Sequence, residues 1–153
     1  MWPYTRDMKT YILSALFLST VFLTSCATSV DASYSARADR YEVKTIYLVN
    51  KSVESQQMDD RIRKELQNRK INVIVGPDTN KVTSEDAIMK YTETWKKEIT
   101  NNIDALDIIL FDKNGEIVAS SHWKNSKFST LAPMSTIVSD AIQIIFEKVQ
   151  IKP

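Results

Sequence analysis

From Val43 to Asn50 β-branched and aromatic side chains alternate with others, a period of two that predicts a strand. From Val53 the period lengthens. Met58, Ile62 and Leu66 recur every fourth residue, with Asp59 and Asp60 early and Arg69 and Lys70 late. That charge order complements a helix dipole, and Ser52 or Ser55 stands where a cap belongs, so a helix is predicted to about Arg69. Ile71 to Val75 is a second short apolar strand, ended by Gly76-Pro77. A β-α-β unit therefore opens the domain.

Asp86 to Ile99 carries two patterns at once. Ile88, Tyr91, Trp95 and Ile99 fit a helical stripe, whereas Ala87, Met89, Tyr91 and Trp95 fit a strand face interrupted by Glu93. The Tyr-Thr-Glu-Thr-Trp composition favours a strand. Ile103 to Phe111 is apolar on both faces and predicts a central strand. Asp112 to Gly115 then reads as a hairpin turn in which Asn-Gly supplies positive φ angles, with Glu116 to Lys124 returning as the next strand. After the polar connector Asn125 to Thr130, Pro133 opens a closing helix whose apolar face is Ile137, Val138, Ala141, Ile142, Ile145 and Val149. The order β-α-β-β-β-β-α predicts an α+β fold, a two-layer sandwich with a mixed sheet of about five strands and two helices packed on one face.

The predicted domain spans residues 43–150. Residues 26–42 are small and polar beyond the cysteine, bury little apolar surface and predict a flexible tether, with a partly docked N-terminal strand as the alternative. Upstream, Arg6 and Lys9 precede an uncharged run, Tyr11 to Leu23, followed by small Thr24 and Ser25. This is the layout of an export signal. The run of about 13 residues is short of the roughly 20 a spanning helix needs. Met8 before Lys9 is an alternative start to Met1.

Leu23-Thr24-Ser25-Cys26 resembles the bacterial lipoprotein consensus of an aliphatic residue, two small residues and the cysteine that becomes the new N-terminus. The resemblance implies cleavage of residues 1–25, a diacylglycerol thioether on Cys26 and acylation of its freed amine. Three acyl chains anchor lastingly, since each buried methylene contributes about 0.8 kcal/mol. Ala27 stands where an inner-membrane retention signal often has Asp. In a two-membrane host the resemblance thus implies the outer membrane, periplasmic face. Behind this box, the element order over roughly Val43 to Val149 looks like the small periplasmic domains of the lipopolysaccharide-assembly lipoprotein, the Tol-Pal translocation protein (its N-terminal domain) and the curli-secretion lipoprotein. Asp86 to Asp112 is the most similar part.

Cys26 is the sole cysteine, so once lipidated it leaves the domain without disulfide, thiolate metal site or thiol nucleophile. Without residues 1–25 the basic and acidic residues balance, whereas nucleic-acid binders gather a basic excess. The two glycines cannot build a phosphate-cradling loop, and no cofactor is expected. His122 is the lone histidine, which removes multi-histidine metal sites, and neither Ser120 nor Ser121 sits in a nucleophile elbow. Asp112, Asn114 and Glu116 resemble a fragment of a calcium loop, but a tight turn is too short for one. Lys96-Lys97 and Arg61, Arg63 and Lys64 read as solvated faces, with an approach to anionic lipid head groups or lipopolysaccharide as the alternative. No catalytic residue and no metal ligand is expected, and the chain is read as a non-enzyme.

Tyr91, Trp95 and Trp123 fall on neighbouring predicted strands. Such a cluster is core if buried and a binding surface if exposed. The expectation is a lipid-anchored, non-catalytic binding or assembly module with an envelope protein partner and no nucleic acid. The alternative is a small-ligand, lipid or glycan carrier using the Tyr/Trp surface.

Overall fold

The computed structural model describes residues 29–50, 56–78, 86–97, 101–125 and 132–152. The expected signal peptide, Cys26, the capping serines and most of the polar connector lie outside them. The strands are β1 (Ser29–Tyr34), β2 (Glu42–Val43), β3 (Thr45–Val49), β4 (Asn72–Gly76), β5 (Ala87–Lys97), β6 (Asn101–Asp112), β7 (Ile117–Lys124) and β8 (Gln150–Ile151). The helices are α1 (Gln56–Asn68) and α2 (Met134–Ile145), with a short 3-10 turn at Ala38–Arg40. The fold is α+β. A mixed six-stranded sheet runs in the order β1-β7-β6-β5-β3-β4, and β2 pairs with β8 in a separate two-stranded ribbon.

The β-α-β opening is a parallel pair, β3 with β4, joined through α1. β5 adds to the other side of β3 in parallel, and β5, β6, β7 and β1 continue antiparallel. The ambiguous segment is therefore strand from Ala87 to Lys97. Both helices cover one side. From α1, Met58, Ile62 and Leu66 are buried, and from α2, Ile137, Val138, Ala141, Ile142 and Ile145. They close on Ile46, Leu48, Met89, Leu106, Ile108 and Leu110 from the sheet. Each such aliphatic side chain contributes about 1.5–3 kcal/mol by leaving water.

Four details depart from expectation. The sheet has six strands rather than about five, because the segment read as tether begins the fold. Ser29–Tyr34 pairs antiparallel with β7, with Val30, Ala32 and Tyr34 half-buried toward the helices. Ala38 and Val43 also join the core, so ordering starts at Ser29 and not at residue 43. The first strand breaks at Lys44, where the Asp86 carboxylate accepts from the backbone N–H groups of Lys44 and Thr45, each at 2.9 Å. Helix α2 ends at Ile145, and Val149 is buried from the segment leading into β8.

The hairpin turn holds a positive φ only at Gly115, at 81°. Asn114 stays at negative φ because its backbone N–H donates to the Asp112 carboxylate at 2.9 Å, which makes the turn a side-chain-braced loop with a left-handed glycine. Helix α1 ends similarly on Lys70, at φ 65°. There the N–H of Ile71 reaches Leu66 O at 3.1 Å and that of Lys70 reaches Gln67 O at 2.9 Å, the paired bonds of a Schellman motif with lysine in the usual glycine position.

Candidate interaction surface

The three aromatic residues singled out in the sequence do not form one exposed patch. Alternation along β5 puts Tyr91 and Trp95 on the helix-covered side, and Trp123 pairs there with Leu106 of β6. Tyr91 and Trp123 are buried, at 2% and 1% exposure, whereas Trp95 remains 39% exposed, just beyond a β-bulge after Thr94. Two of the rings are core, and the Tyr/Trp surface of the carrier reading is not assembled. A cleft of about 1040 Å³ bordered by Tyr34, Ala38, Phe146 and Val149 lies near the opposite end of the sheet.

His122 lies on the uncovered side with its Nδ1 2.5 Å from Asp107 Oδ1. Ser121 is buried on the helix side, facing away from that pair, while Ser120 shares the face of His122; among the described residues neither serine hydrogen-bonds to the histidine. Among the described residues no group of three or more His, Cys, Asp or Glu side chains is placed to hold a metal ion, and no helix is long and apolar enough to cross a membrane.

Two buried aspartates are handled differently. Asp59, in the first turn of α1, accepts from the Tyr91 hydroxyl at 2.6 Å, while its second oxygen has no partner among the described residues. Burial raises its carboxyl above the usual carboxylate range; the Tyr91 bond pulls it down in part, and neighbouring Asp60 pushes it up. Asp112 is fully engaged. It accepts from the N–H groups of Asn114 and Glu116 at 2.9 and 2.8 Å and pairs with Arg37 at 3.0 Å; Arg37 also reaches Glu116. Burial opposes its charge, but the Glu116 and Asn114 amides and the Arg37 guanidinium outweigh it and hold the carboxyl below its usual range.

The feature that sequence reading missed is on the uncovered face. Register places Ile74, Tyr47, Ile88, Phe111 and Ile117 side by side across β4, β3, β5, β6 and β7. Ile74 and Ile117, at the two ends of this row, are 45% and 51% exposed. The next row mixes Lys90 and Ser120 with Ile109, and the one after it, Thr92, Asp107 and His122, is polar. Tyr47 is pinned over the row, its hydroxyl donating to Pro77 O at 2.9 Å across Gly76, where any side chain would collide with that hydroxyl. The signal was present in the two-faced apolarity of Ile103 to Phe111, but only the register shows five strands contributing to one row.

No protein-family model matches the chain, and no curated protein matches it in sequence. Among solved structures, the PelC dodecamer from Paraburkholderia phytofirmans is similar at TM-score 0.55 and 13% identity, over 82% of this chain and 100% of that one. A single-substitution variant of the same dodecamer gives 0.53 and 13%, over 83% and 100%. A minor lipoprotein from Acinetobacter baumannii aligns over 69% of this chain and 90% of its own, with 11% identity and a TM-score of only 0.32. The likeness to PelC is a likeness of fold.

Proposed function

We propose that the chain is a lipid-anchored, non-catalytic assembly module of the bacterial cell envelope, and that the uncovered sheet face is where it associates, first of all with further copies of itself. The observation that carries this reading is the apolar row from Ile74 to Ile117, an exposed-ended stripe of large side chains on the face opposite both described helices. A protein surface that buries such a stripe removes apolar area from water without disturbing the core. The lipoprotein-like box at Leu23 to Cys26 supports placement in the envelope, and the PelC structure, itself a dodecamer, supplies a precedent for self-association on a similar fold.

Sedimentation of the chain from Cys26 onward, with Cys26→Ser to keep it free of lipid, tests the association. The expected outcome is a concentration-dependent species larger than the monomer that Ile117→Lys disperses. A monomer at every concentration, or an assembly indifferent to Ile117→Lys and Ile74→Lys alike, overturns the reading. Cross-linking of tagged protein in its native envelope, beside a Cys26→Ser control, tests the placement. Captured outer-membrane neighbours should disappear in the control.

A further inference from the structure

We infer that the end of the sheet carrying Trp95 is a lipid head-group contact, pressed against the bilayer by the shortness of the connection to Cys26. This rests on the anchored reading of Cys26. Strand β1 begins at Ser29, three residues after the cysteine, and it is locked to β7 from its first residue. Three residues reach at most about 10 Å. The domain is therefore held on a short leash and not on a tether of several nanometres.

Register shows what stands beside that leash. Ser29 pairs with Lys124, Lys124 with Ala105, and Ala105 with Thr94, so the four residues form one level across β1, β7, β6 and β5. Three strand spacings separate β1 from β5, about 14 Å. Beyond Thr94, strand β5 continues through Trp95 to Lys97, paired to β6 as far as Asn101. That overhang of three positions is roughly 10 Å at about 3.3 Å per residue. The overhang thus matches the full reach of the leash, and a bilayer surface at the level of Cys26 meets it. Trp95 is exposed there, and Lys124 is exposed at the level of Ser29. Indole favours the head-group layer, where its ring is partly apolar and its N–H still finds acceptors, and lysine complements anionic lipid. The apolar row at Ile117 lies seven positions back along β7 from Lys124, roughly 23 Å at about 3.3 Å per residue, clear of the lipid.

The test uses the chain from Cys26 onward, which contains every described element, coupled through its only thiol to a maleimide lipid in phosphatidylcholine and phosphatidylglycerol vesicles. Trp2 is then absent and Trp123 is buried, so acrylamide reads Trp95. Coupling should cut acrylamide quenching several-fold and bring quenching by lipids brominated along the acyl chain. Trp95→Phe should abolish both changes. Inserting about twelve Gly/Ser residues before Ser29, which lengthens the connection to roughly 20 Å, should restore most of the acrylamide access. Unchanged acrylamide access on coupling, or full shielding despite the insert, overturns the inference. The chemical coupling does not depend on cellular lipidation. Mass spectrometry of the protein from its native envelope decides that separately, and an unmodified Cys26 there sinks the anchored reading alone.

Discussion

The two faces of the six-stranded sheet use similar side chains to different ends. On the covered face Ile46, Leu48, Leu106 and Ile108 meet two helices and lose all contact with water, and their contribution is to stability. On the uncovered face Ile74, Tyr47, Ile88, Phe111 and Ile117 line up across the strands, and the row's ends stay half in solvent. Burial, not residue type, separates a core from a surface that could take a partner.

The largest effect that sharpens this contrast is on the covered side. Ile142→Ala should lower unfolding free energy by about 2–5 kcal/mol, read from the denaturant midpoint, because the site is sealed between α2 and the sheet. Asp112→Asn comes next. It weakens the charge-assisted bonds that brace the β6–β7 turn and should cost about 1–3 kcal/mol at neutral pH. Because its folded-state pKa is depressed, that stability is present above the ordinary aspartate pKa and disappears as pH falls through the folded value, so the wild-type and variant curves should converge in acid.

Asp59 has the opposite sign. A raised folded pKa means that the neutral form is favoured in the fold, so its contribution is present in acid and lost as pH rises through the folded value. Asp59→Asn should therefore gain on the order of 1 kcal/mol at neutral pH and gain nothing in acid, and urea titrations at several pH values check it. Tyr91→Phe, which strips Asp59 of the Tyr91 hydrogen bond, should cost most at neutral pH.

The smallest effects belong to the uncovered face. His122→Ala breaks an exposed contact with Asp107 and should change stability by less than about 1 kcal/mol. Ile117→Ser should stay within about 0.5 kcal/mol in the monomer while weakening association. A core-sized loss from Ile117→Ser would erase the distinction between the faces.

The covered face was largely legible in the sequence, because its residues obey one period at a time: four along Met58, Ile62 and Leu66, two along the strands. The uncovered row was not, because its members come from five separate strands and only pairing aligns them. Strand β1 ranked second to a tether for a different reason. Val30, Ala32 and Tyr34 are too few and too small to offset ordering on their own, and the strand exists because β7 offers it a ladder. The end of α1 was legible to within a residue, but the way it ends was not, since nothing in a lysine announces the left-handed residue at Lys70. The aromatic cluster failed as a surface because the side chains alternate correctly but face the helices, which the sequence does not locate.

The ladder that holds β1 also sets an order of events. Its partner residues arrive about 90 positions later in the chain, and β2 waits still longer for β8 at the far end, a high contact order for so small a domain. A chain that emerges from its N-terminus onward must therefore carry residues 29–43 unpaired until nearly everything else has appeared. The first stretch of the domain to be made is the last to find its place, and removing β8 would leave the opening of the domain without its closing clasp.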